Sequence, residues 1–325
     1  MRLIEYRQLL QIVVMFLIVQ FAGLLLATQV FTGITISEVK SAQVVSSSIN
    51  TVFLIAYIIV VSAILVAVFK IYRGDRLFQI FDAIIIVVPS FIVFLVVISA
   101  IQGNAFQSIY GSGTVISFVL AIVFALALVF AKYKRPNLRN LTAMIASVGV
   151  GLVLGVSFGF VLALLFMIIL AAYDFIAVFI TKHMVTLAKV AIDKNISGLI
   201  MVNEIEAVPV GMLSPAQRKE YLQSKKELEK RGGVVSSLVA SNMVPMAAST
   251  ALGTGDLAVP LMLAVAAYKV NLNFILSFVI IIGALFGLLL TMMILRKYKR
   301  ALPAIPPLLF GISIALLTYF AILHL

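Results

Sequence analysis

Long apolar runs recur along the whole chain, and they constrain its fold more than any other feature. A run of about 18 residues or more is long enough to cross about 30 Å of hydrocarbon as a helix. With 63% hydrophobic and only 11% charged residues, the composition is not that of a soluble globular protein. The sequence predicts an all-α, polytopic membrane protein with nine transmembrane helices, at 9–31, 51–69, 83–101, 114–131, 139–158, 159–181, 246–267, 272–295 and 303–323.

These runs divide the chain into three predicted parts. Residues 1–181 contain spans one to six, 182–245 form a loop, and 246–325 contain spans seven to nine. Within the loop, the apolar residues of 184–200 are spaced roughly as in a helix on the membrane surface. Ser214-Pro215 is typical of a helix start, so we expect a polar helix to follow it.

Loops that are rich in lysine and arginine alternate with loops that carry almost no charge. The basic segments include the N-terminus with Arg2 and Arg7, 132–139 after the fourth span, and 296–300 after the eighth. By the positive-inside rule, the N-terminus is expected in the cytoplasm and the C-terminus outside. The same rule accounts for the net charge of +12, so we expect no nucleic acid partner.

Two aspartates, Asp174 and Asp256, lie inside the apolar runs. A charged carboxylate at a span centre costs about 2.5–3.5 kcal/mol on insertion scales, so such residues are expected to be functional. Asp82 is the nearest other candidate, but it lies at the cytoplasmic end of the third span, where we expect it to reach water or Arg76.

The predicted topology places the two aspartates at similar depth on adjacent antiparallel helices. At 1.5 Å per residue, Asp174 lies ~12 Å and Asp256 ~15 Å from the cytoplasmic ends of their spans. Gly253, Gly255 and Pro260 weaken the helix around Asp256. We therefore expect the seventh span to be kinked or broken there, which a membrane tolerates where the backbone is buried or lines a wet cavity.

Two nearby carboxylates in a medium of low dielectric constant share a proton, so one acts as base and the other as acid. Such a pair activates water for attack on an amide without a covalent intermediate. The chain has no cysteine, which excludes a thiol nucleophile. Neither of its histidines, His183 and His324, supports a Ser-His triad or a zinc site, so we expect no metal and no cofactor.

Three short motifs follow one another on the sixth, seventh and ninth predicted spans. They are Tyr173-Asp174, Gly253-Thr254-Gly255-Asp256 and Pro303-Ala304-Ile305. In this order they resemble the signatures of the presenilin and signal peptide peptidase family, the GxGD intramembrane aspartyl proteases. With its predicted cytoplasmic N-terminus and compact length, the chain most resembles a prokaryotic, archaeal presenilin homologue.

The resemblance implies that Asp174 and Asp256 are catalytic and that the other motif residues support the active site or bind substrate. Ile305 stands where the family usually has leucine, and Thr254 where it more often has an apolar residue. The implied partners are transmembrane segments of substrate proteins in the bilayer, with the chain integral to a prokaryotic cell membrane. The need for partner subunits and a homo-oligomeric state are left open.

Membrane transporters also use carboxylates inside the bilayer, but they use them to bind ions. In a proton- or cation-coupled transporter, the same two aspartates would form an ion site on broken helices. That alternative predicts internal repeats between the two halves of the chain, and none is evident. A third alternative, an inactive relative acting as a membrane chaperone, is disfavoured by the intact pair of aspartates.

Overall fold

Helices dominate the residues that this computed structural model describes, which are 2–31, 75–102, 112–135, 138–180, 199–209, 243–298 and 303–323. A π-helical turn, Ile176–Ile180, extends the fifth helix. The helices and strands in chain order are α1 (Arg2–Phe31), α2 (Asp75–Ile101), α3 (Ser112–Lys134), α4 (Arg139–Ser157), α5 (Phe160–Phe175), β1 (Leu199–Pro209), β2 (Met243–Gly253), α6 (Thr254–Asn271), α7 (Phe274–Tyr298) and α8 (Ile305–Leu323).

Seven helices in the described part of the chain are long and apolar enough to cross a membrane. They coincide with the predicted spans one, three to six, eight and nine. The predicted second span, 51–69, lies outside the described residues, as do 184–198 and the helix expected after Ser214. The total of nine spans, the orientation of the termini and the three-part division of the chain stay predictions.

The first part of the predicted seventh span is not helical, and the all-α prediction is wrong there. Strand β2 covers Met243–Gly253, and it pairs with β1 in a two-stranded sheet. Helix α6 begins only at Thr254. The sequence of β2 contains proline, serine, threonine and glycine, which are poor formers of helix interiors. An apolar run by itself does not separate helix from strand, which explains the error.

The chain divides into two compact units. One comprises Met1–Ile12 and Met201–Ala251, and it contains most of the two-stranded sheet. The other comprises Val13–Ile200 and Leu252–Leu325, and it contains helices α2 to α8. Both aspartates belong to the second, helical unit.

Helix α6 is the central element of the helical unit. It packs against α4, α5 and α7, and its apolar residues from Leu257 to Tyr268 are all buried. Helix α3, which is also apolar, leaves many of its apolar residues exposed, so the burial of α6 comes from its central position and not from composition alone. Helix α8 packs against α7 and α5, and α2 packs against α3 and α4. Helix α6 is thus surrounded by other helices, and these fix the position of Asp256.

Glycines allow the closest helix crossings in this unit, as small residues do in membrane proteins generally. On α4, a Cβ atom at Gly155 would lie 2.7 Å from the carbonyl oxygen of Met262 on α6. Between α7 and α8, a Cβ atom at Gly311 would lie 2.3 Å from the carbonyl oxygen of Gly283. Any larger side chain at these glycines would push the helix backbones apart.

The expectation that Asp82 reaches water is wrong. Asp82 on α2 is 2% exposed and forms an ion pair with Lys132 on α3, which is 3% exposed. The hydroxyl group of Tyr133 also donates a hydrogen bond to Asp82, at 3.3 Å. A buried carboxylate needs a compensating charge, and Lys132 supplies it. The ion pair thus links α2 and α3.

Candidate active site

Asp174 lies in the last turn of α5, with its carboxylate against the start of α8. Its side chain is 5% exposed. The backbone amide of Ile305, the first residue of α8, donates a hydrogen bond of 3.2 Å to Oδ2 of Asp174. The amide of Ala304 interacts with the same carboxylate. The third motif therefore supports Asp174 through its backbone.

Asp256 lies in the first turn of α6, which begins directly after β2. Its Oδ2 atom accepts a hydrogen bond of 3.2 Å from the backbone amide of Gly253, the residue that caps the helix. A Cβ atom at Gly253 would lie 3.0 Å from that oxygen, tighter than nearly all real contacts. Glycine at this position therefore lets the carboxylate fold back onto the start of its own helix.

The structure brings the two aspartates together. Helices α5 and α6 pack against each other, and the charge of Asp174 acts on the carboxyl group of Asp256. Among the residues that the structure describes, neither carboxylate pairs with a cation, in contrast to Asp82. Two acidic groups thus lie close enough to interact in the helical unit, with no neutralising charge from the part of the chain that the structure describes.

Both carboxylates are held by amides at the start of a helix. The N-terminus of a helix carries partial positive charge and unpaired N–H groups, so it favours a negative group placed there. Asp256 occupies this position on α6, and Asp174 occupies it on α8. The arrangement can hold one carboxyl group ionised while its neighbour keeps a proton, which suits general acid–base chemistry.

The other predicted site residues differ in their placement. Pro303, Ala304 and Ile305 are all buried. The carbonyl oxygen of Thr254 accepts a hydrogen bond of 3.2 Å from the hydroxyl group of Ser147 on α4. The remaining residue of the first motif, Tyr173, is 56% exposed, so the structure does not bring its side chain into the buried cluster.

Gly255 has no close neighbour in the described part of the chain outside its own turn of helix. A Cβ atom built there would meet no such atom within 4 Å, whereas one built at Gly253 meets Asp256. The two glycines of the second motif therefore have different neighbours. Gly253 supports the carboxylate of Asp256. Gly255, the residue directly before Asp256, has space beside it in the described part of the chain.

Two residues near Asp256 were missed in the sequence. Gln20 on α1 donates a hydrogen bond to the carbonyl of Leu257 in the first turn of α6. The hydroxyl group of Ser147 on α4 shares its proton between the carbonyl of Thr254, at 3.2 Å, and the nearer carbonyl of Ala143, at 2.8 Å. Gln20 is fully buried, and its position near the middle of an apolar span is the signal that could have identified it. Ser147 carries no such signal, since serine is common where membrane helices meet.

Known proteins that are similar to this chain indicate its family and its fold. The profile of the family described as signal-peptide peptidase, presenilin aspartyl protease matches residues 13–323. No curated protein matches the chain significantly.

Two similar solved structures are of a presenilin family intramembrane aspartate protease, in space groups C222 and P2. The first is 18% identical, with a TM-score of 0.60, over 97% of this chain and 99% of that one. The second is 19% identical, with a TM-score of 0.59, over 97% of this chain and 98% of that one. At this identity the likeness concerns the fold, and the profile match concerns the family. The chain is therefore a multi-pass integral membrane protein and an aspartic endopeptidase of the signal-peptide peptidase and presenilin family.

Proposed function

We propose that the chain hydrolyses peptide bonds within transmembrane segments of other proteins, with Asp174 and Asp256 as the catalytic pair. One observation carries the proposal. These two carboxyl groups lie close enough to interact, without a cation partner among the described residues, and each accepts a hydrogen bond from an amide at the start of a helix. Asp82, which is also buried, is neutralised by Lys132 and is not a candidate.

The proposed chemistry needs one ionised and one protonated carboxyl group. The ionised group takes a proton from a water molecule, whose oxygen attacks the carbonyl carbon of the peptide bond. The protonated group donates its proton to the carbonyl oxygen, which gives a tetrahedral diol. The C–N bond then breaks as the nitrogen receives the proton that was taken from water. A hydroxyl group of the diol gives its proton to the other carboxylate as the new carboxylic acid forms, and the pair returns to its starting state. Because the two groups titrate as a pair, the starting proton belongs to the pair rather than to either residue.

The start of α6 supports the view that an extended peptide is the substrate. A closed helix hides its amides, so a transmembrane substrate has to unwind before hydrolysis. The space beside Gly255 is where we place a peptide backbone, because a Cβ atom built there meets no described atom outside its own turn of helix within 4 Å. The chain also leaves its own helical conformation just before Asp256, which membranes tolerate beside a wet cavity.

The test is proteolysis by the purified chain in lipid vesicles. A single-span peptide is incorporated together with the wild type, and the fragments are identified by mass spectrometry. We expect cleavage inside the apolar span, and a loss of about 10³-fold or more for Asp174→Asn and for Asp256→Asn. Cleavage by either variant at the rate of the wild type would exclude the proposed pair.

Lys132→Met combined with Asp82→Asn is the matched control, since it removes a buried carboxylate and its cation together. This variant is expected to cleave at close to the wild-type rate. The same vesicles report on the transporter alternative, which no contact in the described structure favours. Ion flux that depends on Asp174, in the absence of any peptide cleavage, would support that alternative and exclude proteolysis.

A further inference from the structure

Gln20 makes an uncommon contact inside the helical unit. It lies near the middle of the span Arg7–Phe31, and its side chain is 0% exposed. Its Nε2 atom donates a hydrogen bond of 2.9 Å to the carbonyl oxygen of Leu257. Its Oε1 atom is buried and has no hydrogen-bond partner among the described residues. An apolar residue would avoid that unsatisfied atom, so the contact with Leu257 needs an explanation.

The carbonyl that Gln20 binds belongs to the residue immediately after Asp256. Pro260 has no N–H group, so the carbonyl of Asp256 lacks its usual helical partner and this turn has fewer internal bonds than a regular helix. On the other side of Asp256, the hydroxyl group of Ser147 lies 3.2 Å from the carbonyl oxygen of Thr254 and shares its single proton with the nearer carbonyl oxygen of Ala143, at 2.8 Å. Side chains from α1 and α4 therefore contact the backbone on both sides of Asp256, with Gln20 making the shorter of the two bonds to α6.

Close packing at the same turn supports the contact with Gln20. A Cβ atom at Gly23, three residues after Gln20, would lie 2.3 Å from Leu261. The side chain of Leu261 therefore packs directly on Gly23, and the amide side chain of Gln20 reaches the backbone of α6 one turn away.

We propose that Gln20 is a positioning residue that fixes the backbone of the Asp256 turn and thereby the distance between the two carboxyl groups. The inference rests on the proposed function, in which that distance decides whether one water molecule is activated by both groups. Gln20 itself touches no reacting atom. Without this hydrogen bond both carboxyl groups are still present, but Asp256 occupies a wider range of positions.

Gln20→Met tests this, because methionine has a similar length and shape but cannot donate a hydrogen bond. Ser277→Ala is the matched control. The hydroxyl group of Ser277 is likewise fully buried and donates a hydrogen bond of 2.7 Å to the carbonyl of Ala264 on the same helix α6. That carbonyl is eight residues beyond Asp256, or ~12 Å along the helix. Both variants thus remove one buried bond to α6, at different distances from the carboxylate.

The expected result is a fall in kcat of about 10-fold or more for Gln20→Met, with KM unchanged, and less than about twofold for Ser277→Ala. A loss due to general unfolding would affect both variants and would follow their melting temperatures. Gln20→Leu replaces Gln20→Met if the latter does not give a folded, monodisperse protein.

A second measurement does not depend on proteolysis. The chain has no cysteine, so a variant with Asp174→Cys and Asp256→Cys reports the proximity of the two positions by its rate of disulfide formation under a mild oxidant. We expect Gln20→Met to slow this reaction several-fold and Ser277→Ala to leave it unchanged. Equal rates in the Gln20→Met and wild-type backgrounds would overturn the positioning role, even if the wild type cleaves substrate. Absence of cleavage by the wild type would instead refute the proposed function and leave the disulfide result valid.

Discussion

The backbone amide of Ile305 donates a hydrogen bond of 3.2 Å to the carboxylate of Asp174, from a position 131 residues away in the chain. The contact belongs to the main chain, so the side chain at 305 can change without removing it. The third motif is thus explained by the start of a helix that presents N–H groups to an acidic residue, with Pro306 and Pro307 fixing the first turn.

Removal of this amide is expected to impair activity more than a change of side chain. Proline lacks the N–H group but is tolerated in the first turn of a helix, so Ile305→Pro deletes the hydrogen bond to Asp174. A hydrogen bond to a charged group contributes about 1.5–3 kcal/mol, so the cleavage rate should fall about 10- to 100-fold. Ile305→Leu keeps the amide and should cleave within about threefold of the wild type. A larger loss for leucine than for proline would show that the side chain matters instead.

The two glycines beside Asp256 should respond differently to alanine. In Gly253→Ala, the new Cβ atom displaces the Asp256 carboxylate from the amide that holds it, so we expect kcat to fall about 10-fold. In Gly255→Ala the new atom meets no described neighbour, so folding is unaffected and KM rises if the open space receives substrate. Steady-state kinetics of both variants in vesicles separate the two effects. An equal fall in kcat for Gly253→Ala and Gly255→Ala would contradict the prediction that the two glycines have different roles.

The sequence predicted most of the helices and the two aspartates, because both depend on local composition. A run of about 20 apolar residues has few alternatives to a transmembrane helix, and a lone carboxylate within it is evident without a structure. The start of α6 was missed because residues 246–253 are apolar enough for either a helix or a strand. As a result, Asp256 was expected about three turns into a helix, whereas it lies in the first turn.

The partners of buried polar side chains depend on which residues of neighbouring helices lie side by side. The sequence does not reveal this. The bond from Gln20 to Leu257 joins residues 237 positions apart, and the ion pair between Asp82 and Lys132 joins two helices. Gln20, Asp82 and Lys132 are polar and lie in apolar helices, so the sequence could have marked these three as unusual. It could not have identified their partners, because the choice depends on which helices pack together and at what height.

The ion pair between Asp82 and Lys132 should contribute to stability rather than to catalysis. Because both side chains are buried, Asp82→Asn leaves an unpaired charge and is expected to cost about 3–5 kcal/mol of unfolding free energy. The double variant with Lys132→Met should recover most of that loss. Lys134→Met, at an exposed lysine of the same helix that lies over the ring of Phe130, should change stability by less than about 1 kcal/mol. Unfolding in detergent measures all four proteins, and a double variant no more stable than Asp82→Asn would argue against a direct pair.

The crossing of α7 and α8 should control the position of the amide that binds Asp174. A Cβ atom at Gly311 would lie 2.3 Å from the carbonyl oxygen of Gly283 and 2.7 Å from the amide nitrogen of Gly287, so Gly311→Ala forces the two backbones apart. Overpacking of this kind costs about 1–3 kcal/mol.

Because α8 begins at Ile305, a shift of this helix also moves the amide away from Asp174. We therefore expect Gly311→Ala to lower both the melting temperature and the cleavage rate of the fraction that remains folded. Leu317→Ala is the control on the same helix, since Leu317 is 71% exposed and its truncation leaves the crossing intact. Gly311→Ala with wild-type activity per folded molecule would show that the carboxylate of Asp174 does not depend on the position of α8.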